Sequence, residues 1–295
     1  MTELFGLPLP ALFGQLLLGL VNGSFYAVLS LGLAIIFGLL NVINFAHGTL
    51  YMLGAFIAWM GLQYLGLNYW AMLVIAPIAV GLIGIVIERL LLRRLYKLDP
   101  LYGLLLTFGL AMLIEGLFRS FYGVSGQQYS TPALLQGSVN LGFMYLPIYR
   151  AWVVVASIAA CLITWFLVEK TRLGSVLRAG TENAKLVEAF GINVPKVITL
   201  TYGFGVGLAG FAGVLAAPVA QITPLMGTNL IIVVFAVVVI GGMGSILGSI
   251  VTGLGLGIIE GFTKVFWPEA SNTVVFIIMV IVLLLRPAGL FGKEK

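Results

Sequence analysis

Long stretches without a charged side chain are the feature that most constrains this fold. Glu3 is the only charged residue before Glu88, and none occurs between Lys196 and Glu260. These gaps are far longer than a buried helix of a soluble domain, whereas a helix that crosses a membrane needs about 20 apolar residues. The apolar runs do not alternate with polar residues as the strands of a membrane β-barrel would. We therefore predict an all-α integral membrane protein, folded as one transmembrane domain over residues 1–295.

Composition supports this class and excludes several others. Apolar residues make up 61% of the chain and charged residues 8%, against about 25% charged in soluble domains. Cys161 is the only cysteine, so neither a disulfide nor a thiolate metal site within the chain is expected. Residues 1–10 contain no Lys or Arg, and a cleavable signal is not expected.

The distribution of basic residues predicts which segments face the cytoplasm. Residues 88–99 and 170–196 are rich in Lys and Arg, whereas residues 119–150 contain only Arg119 and Arg150. Cytoplasmic loops carry an excess of basic residues. We therefore place the two basic segments in the cytoplasm and residues 119–150 outside, and attribute the net charge of +5 to membrane sidedness rather than to nucleic-acid binding.

Eight apolar blocks divide the chain. They cover residues 11–40, 49–66, 69–87, 101–118, 151–168, 197–219, 229–261 and 273–285. The first and seventh blocks, of about 30 and 33 residues, exceed the roughly 20 that one crossing needs. A break at Gly241–Ser245 would let the seventh block turn back and leave the basic tail in the cytoplasm, and the same logic allows a second pass in the first block. We predict a polytopic helical bundle of eight to ten crossings with discontinuous helices, the seventh block among them.

The basic segment at 170–196 contains a candidate amphipathic helix. Thr181 is the expected N-cap, and Gly191 suits the position after the last turn. Val187 and Phe190 should share one face of this helix. Because so short a helix is unstable alone, it requires the membrane on one side and a partner protein on the other.

Small residues form two ridges at helical spacing. The first consists of Ser245, Ser249, Gly253, Gly257 and Gly261, and the second of Gly203, Gly207, Gly210 and Gly213. Such ridges allow close packing of helices in lipid, and a sliding contact that opens a pathway would use the same geometry.

Glu115 with Arg119 and Glu260 with Lys264 stand at i,i+4 spacing, which predicts ion pairs near span ends or, as the alternative, a role in transport.

Two polar breaks mark a candidate translocation path. One covers Asn41–Gly48 and the other Gly241–Ser245. Non-helical backbone at membrane depth is tolerated only inside protein or along a wet cavity. The expected path residues are Asn41, Asn44, His47, Gly48, Gly241, Gly242, Gly244 and Ser245.

Catalytic and cofactor motifs are absent from the sequence. His47 is the only histidine, so no Ser/His/Asp arrangement can form, and it is interpreted as a structural residue near a span end. The G-x-G-x-x-G pattern at 205–210 follows no strand, which excludes the dinucleotide interpretation. We expect no enzymatic activity, no cofactor and no metal in this chain.

Four segments resemble the LivH-type permease subunit of branched-chain amino acid ABC importers. They are SLGLAIIFGLLNVINFAHGTLYMLGAF (30–56), RLGSVLRAGTENAKLVEAFGINVPKVITLTYGFGVGLAGFAGVL (172–215), GGMGSILGSIVTG (241–253) and LLLRPAGLFG (283–292). The resemblance implies a heterodimer with a LivM-like second permease in the bacterial inner membrane. It also implies two ABC ATPase subunits on the cytoplasmic side and an extracytoplasmic substrate-binding protein, with membrane lipid around the bundle and no nucleic acid.

The resemblance also implies which residues transmit the action of the ATPases. The matching positions are Arg178, Ala179, Glu182, Ala184, Glu188 and Gly191; Lys185 joins them because its charge lies in the same short helix. Many relatives carry a Lys where this chain has Val233, so the role of that position is open. Similar permeases also carry urea, amides or other amino acids, which leaves the substrate open.

Two other functions are weighed against an ABC permease. An ion-coupled secondary transporter or channel would work without ATPases, and proton coupling usually needs ionisable residues along the path. The first, second and sixth blocks offer none except His47, although sodium sites built from backbone carbonyls need no charge. Two broken helices are not expected in a subunit that is only a structural scaffold.

Overall fold

Eleven α-helices make up most of the part of the chain that the computed structural model describes, residues 3–4, 7–40, 43–96 and 98–292. Their bounds are α1 Leu9–Leu40, α2 Ala46–Leu65, α3 Tyr69–Leu90, α4 Pro100–Tyr122, α5 Ile148–Lys170, α6 Arg172–Glu182, α7 Ala184–Ala189, α8 Val194–Ala216, α9 Met226–Gly241, α10 Ile246–Phe266 and α11 Val274–Leu285. Two short antiparallel strand pairs complete the fold: β1 Glu3–Leu4 with β2 Leu7–Pro8, and β3 Ser138–Asn140 with β4 Tyr145–Pro147. The all-α polytopic class is confirmed.

In the described part of the chain, six helices are long and apolar enough to cross a membrane, namely α1, α3, α4, α5, α8 and α10. The helix α2 has 20 residues, or about 30 Å at 1.5 Å per residue, and α9 and α11 are shorter apolar helices. The lower end of the predicted range of eight to ten crossings is reached if two of these three helices also cross, and the number of crossings stays a prediction.

The small-residue ridge of α10 packs antiparallel against α1. A Cβ atom on Gly253 would lie 2.7 Å from the Cα of Ala27, and one on Gly261 would lie 3.1 Å from the Cα of Gly19. Any side chain on Gly257 would overlap the backbone of Gly23. Because helices in lipid gain their association from close backbone packing, these glycines set the distance between the two helices.

The second ridge lets α8 pack between α2 and α3. A Cβ atom on Gly203 would lie 3.1 Å from the carbonyl oxygen of Gly81, and one on Gly207 would lie 3.2 Å from that of Pro77. On the neighbouring face, Gly54 of α2 approaches the Cα of Gly210 so closely that an added Cβ would lie 2.6 Å from it. The core of the bundle lies where α1, α2 and α8 meet, at fully buried side chains such as Phe56, Leu31 and Val206.

The predicted discontinuity in the seventh block is present. The helix α9 ends at Gly241, and Gly242 and Gly244 have φ angles of 98° and 86°, which only glycine adopts readily. Ser245 then caps α10 by accepting a hydrogen bond from the backbone N–H of Gly248. The chain reverses here, because α9 and α10 pack against each other on either side of the turn.

The C-terminal segment lies against this turn. The backbone N–H groups of Leu290 and Phe291 donate to the carbonyl oxygens of Ile240 (2.8 Å) and Gly241 (3.2 Å). The tail and the break are thus at the same end of the bundle, as the charges predicted. The second pass allowed for the first block is wrong: α1 runs unbroken for 32 residues, and its excess length extends the helix to about 48 Å.

The amphipathic helix expected after Thr181 is instead part of a pair of helices. Thr181 lies within α6, and Asn183 caps α7 by accepting a hydrogen bond from Leu186 N at 3.0 Å. Asparagine favours such local hydrogen bonds over continuing a helix, which explains the split. Val187 is buried while Phe190 is 78% exposed, so the predicted common face is wrong.

Gly191 follows α7 with a φ angle of 81°, as expected for the residue after a helix. The backbone of the next residues then enters α8, whose first turn is capped by Asn193. Three residues, Phe190, Gly191 and Ile192, separate the end of α7 at Ala189 from this cap. The connection between α7 and α8 is therefore short.

Candidate functional site

The first predicted break is a buried junction of three helices. Asn44 Nδ2 donates to the Tyr202 hydroxyl of α8 at 3.0 Å, and His47 Nε2 lies 3.0 Å from the carbonyl oxygen of Leu29 in α1. Asn44 is 1% exposed and His47 0%. Gly48 is also buried, against Gly227 of α9. Asn41 lies outside the described residues.

Two polar atoms of this junction have no hydrogen-bond partner among the described residues. They are Asn44 Oδ1 and His47 Nδ1. A buried polar atom left unpaired costs about 1–3 kcal/mol, so water or a small rearrangement must satisfy them in the working protein. The neighbouring backbone groups are hydrogen-bonded. Thr107 Oγ1 of α4 accepts from the N–H of Phe45 and donates to the carbonyl oxygen of Ile43 or of Leu104.

The second break lies close to the coupling helices. A cavity of about 100 Å³ separates them, lined on one side by Leu177 and Arg178 of α6 and on the other by Gly38 and Gly244. Hydrogen bonds of the described residues connect neither side of this cavity to Asn44 or His47. The fold brings the second break, and Gly38 of α1 three residues before the first break begins, together with the predicted coupling segment.

Arg178 anchors α6 to the end of α5. Its Nη1 donates to the carbonyl oxygen of Val168 at 3.0 Å and lies 3.4 Å from Glu169 Oε2. Both charged side chains are about half exposed, so the ion pair itself contributes little stability. The hydrogen bond to the backbone instead fixes where α6 leaves the bundle.

The outer surface of the predicted coupling segment is exposed in the part of the chain that the structure describes. Ala179, Lys185, Glu188 and Gly191 are exposed. Leu186 and Phe190 beside them are 56% and 78% exposed. The side chains of Glu182 and Ala184 lie outside the described residues, although their backbones belong to α6 and α7. A mixed apolar and charged surface of this kind is typical of a protein-binding site.

Sequence reasoning missed a buried carboxylate at the end of α3. Glu88, assigned to a cytoplasmic loop, is 1% exposed and accepts hydrogen bonds from Thr199 Oγ1 (2.7 Å) and the Tyr96 hydroxyl (2.8 Å). Burial, followed by the charge of Glu88, raises the pKa of Tyr96. The contact joins α3 to the first turns of α8. No sequence signal marks it, because Arg89 beside it looks like ordinary loop charge.

A second buried carboxylate, Glu260, lines a cavity of about 370 Å³ between α1, α9, α10 and α11. Its Oε2 accepts from the Tyr26 hydroxyl at 2.7 Å, and its Oε1 lies 2.5 Å from Lys264 Nζ. The predicted ion pair with Lys264 is confirmed. Val233, the position whose role the sequence left open, lines the same cavity.

The ion pair expected between Glu115 and Arg119 is wrong. Glu115 Oε2 instead accepts a hydrogen bond from Thr228 Oγ1 of α9 at 2.7 Å. Elsewhere among the residues described, no group of three or more His, Cys, Asp or Glu side chains could hold a metal ion.

A polytopic helical bundle with broken elements, and with a polar helix pair exposed at one end, has the architecture of a membrane transport permease. Comparison with known families is more specific. The chain belongs to the family described as the branched-chain amino acid transport system permease component, whose model matches residues 15–283.

Individual relatives agree over almost the whole chain. The permease protein BraD of Pseudomonas aeruginosa, of a high-affinity branched-chain amino acid transport system, is 32% identical over 95% of this chain and 96% of its own length. LivH of Escherichia coli, a permease protein of such a system, is 29% identical over the same shares. LivM of the same organism is 24% identical over 92% of this chain and 68% of its own length. No solved structure matches significantly.

Proposed function

We propose that this chain forms the translocation path of an ABC importer for branched-chain or related amino acids, and that partner ATPases drive it through α6 and α7. The observation that carries the proposal is the placement of the coupling helices. They expose a surface at Leu186 and Phe190 and face the second break across the cavity lined by Leu177 and Gly244.

The contacts give a route for the movement. A force on α7 reaches α8 through the short connection at Gly191, and α8 is held to α3 by the hydrogen bond between Thr199 and Glu88. A force on α6 reaches the end of α5 through Arg178. The cavity between α6 and Gly244 leaves room for α6 to move toward the break.

The partners follow from the same proposal. Because LivH and LivM are permease proteins of one kind of system and both resemble this chain, a second permease of the same fold would complete the path. Two ATPase subunits would bind α6 and α7, and an extracytoplasmic binding protein would deliver the amino acid at the opposite end. The assembly would lie in the bacterial inner membrane, with ATP hydrolysis confined to the partner subunits.

The test removes the charges of α7. The double variant Lys185→Ala with Glu188→Ala should lower ATPase co-purification and ATP-driven leucine uptake at least five-fold, because both exposed side chains lie in the proposed contact. Glu269→Ala, an exposed carboxylate between α10 and α11, is the matched control and should change neither. Unchanged docking and uptake in the double variant would show that α7 is not the coupling surface.

An ion-coupled transporter is the second candidate. The buried carboxylates Glu88 and Glu260 favour it, because ionisable groups at membrane depth often carry protons. Purified chain alone, in vesicles with a proton or sodium gradient, should show no leucine accumulation if ATPases are required. Robust gradient-driven uptake without ATPases would replace the ABC proposal with this alternative.

A further inference from the structure

Polar side chains of α4, α9 and the α10–α11 connection lie at or next to the cavity that contains Glu260. The hydrogen-bonded pair Glu115–Thr228 is followed by Asn229 in the next position of α9, and Asn229 lines the cavity that contains Glu260. Glu260 lies six residues before the end of α10, or about 9 Å along the helix. Charged groups at this depth face water or protein rather than lipid.

The cavity has a polar end and an apolar end. Its polar lining includes the carboxylate of Glu260, itself 6% exposed, with Asn229 and Asn272. Ile232, Val233 and Phe276 line the rest. At about 370 Å³ it exceeds the volume of a single water molecule many times over, and its two ends differ in chemistry as the two ends of an apolar amino acid do.

The hydrogen-bonding capacity of Glu260 is only partly used. A carboxylate accepts at about four lone-pair positions, and two are taken by Tyr26 and Lys264. A primary ammonium group carries three donors and no acceptor. The remaining capacity of Glu260 and the side-chain oxygens of Asn229 and Asn272 match those donors.

We propose that this cavity is an intermediate binding site on the translocation path. Glu260 and Asn229 bind the primary ammonium group of an apolar amino acid there, and Ile232 and Val233 contact its side chain. The inference rests on the proposed function and names the residues that meet the substrate. The second permease would close the outer side of the cavity. Transport requires that the amino acid bind weakly, so this intermediate binding site holds it only briefly between the binding protein and the cytoplasm.

A purely structural role for Glu260 makes a different prediction. If the carboxylate only fastens α10 to α1 through Tyr26, its loss should weaken assembly, ATP hydrolysis and uptake together. If it receives the ammonium group, uptake should fall while assembly and hydrolysis persist. The amount of leucine transported per ATP hydrolysed separates the two.

The experiment uses the complete complex, with both permeases, the ATPases and the binding protein, in proteoliposomes supplied with radiolabelled leucine. Glu260→Gln keeps the side-chain shape and an oxygen for Tyr26, and Asn229→Ala tests the second ligand at an exposed position that no folding contact requires. Glu269→Gln is the matched control. We expect leucine per ATP to fall at least ten-fold in Glu260→Gln and at least three-fold in Asn229→Ala, and to stay within two-fold in the control.

Two results would overturn the inference while the proposed function stands. One is wild-type uptake and wild-type ATP hydrolysis in both variants; the other is a loss of uptake and hydrolysis by the same factor in both, which leaves leucine per ATP unchanged. Absence of ATP-driven uptake in the wild-type complex would instead contradict the proposed function and, with it, the intermediate binding site.

Discussion

Two concave regions on the surface of this bundle have opposite chemistry. The groove between α3, α5 and α8, of about 680 Å³, is lined almost entirely by apolar side chains such as Ile78, Ile163 and Phe204. The cavity between α1, α9, α10 and α11 contains a buried carboxylate and two asparagines. Both lie along apolar helices, so hydropathy alone does not separate them. The difference predicts that the groove meets lipid and that the cavity meets water and a second subunit.

The largest effect should come from placing a charge in each region. A charged residue at the centre of a membrane helix costs about 2.5–3.5 kcal/mol. Ile78 and Ile232, 58% and 55% exposed, form a matched pair from the groove and the cavity. Ile78→Asp should reduce the folded protein in the membrane fraction at least ten-fold, and Ile232→Asp less than two-fold, as measured by immunoblot. Equal losses would mean that both regions face lipid.

Thiol accessibility should distinguish the regions by a similar factor without perturbing the fold. Because Cys161 is buried, a Cys161→Ala background gives a clean baseline. Asn229→Cys should react with a water-soluble cationic methanethiosulfonate at least ten-fold faster than Ile78→Cys, since only the cavity admits water. Comparable rates at the two positions would contradict the assignment of the cavity to the path.

The smallest effect is a difference between two tyrosine hydroxyls. Tyr26 donates to the charged Glu260, whereas Tyr69 belongs to a neutral chain with Trp152 and Tyr149 near the groove. Hydrogen bonds to charged groups contribute about 1.5–3 kcal/mol and neutral ones about 0.5–1.5 kcal/mol. Tyr26→Phe should therefore lower the unfolding midpoint more than Tyr69→Phe in nanodiscs. The reverse order would place the greater polar stabilisation on the groove side.

Local sequence patterns predict some of the turns in this chain and miss others, as the segment at 170–196 shows. Gly191 and the break at Gly241–Ser245 were predictable because glycine is the residue that adopts a positive φ at low cost. The split at Asn183 was not, since Thr181 and Asn183 are both acceptable caps by type. The structure selects Asn183, whose side chain accepts a hydrogen bond from Leu186 N.

The sequence by itself determined the membrane class, the broken seventh block and the small-residue ridges, because each depends on hydropathy, charge or side-chain size within a short window. Only the tertiary structure decided the partners of the carboxylates. Glu260 meets Tyr26 across 234 positions of sequence and Glu88 meets Thr199 across 111. No local pattern encodes such pairs, since they arise where α1 packs on α10 and α3 on α8, and the position of each carboxylate depends on how closely those helices approach.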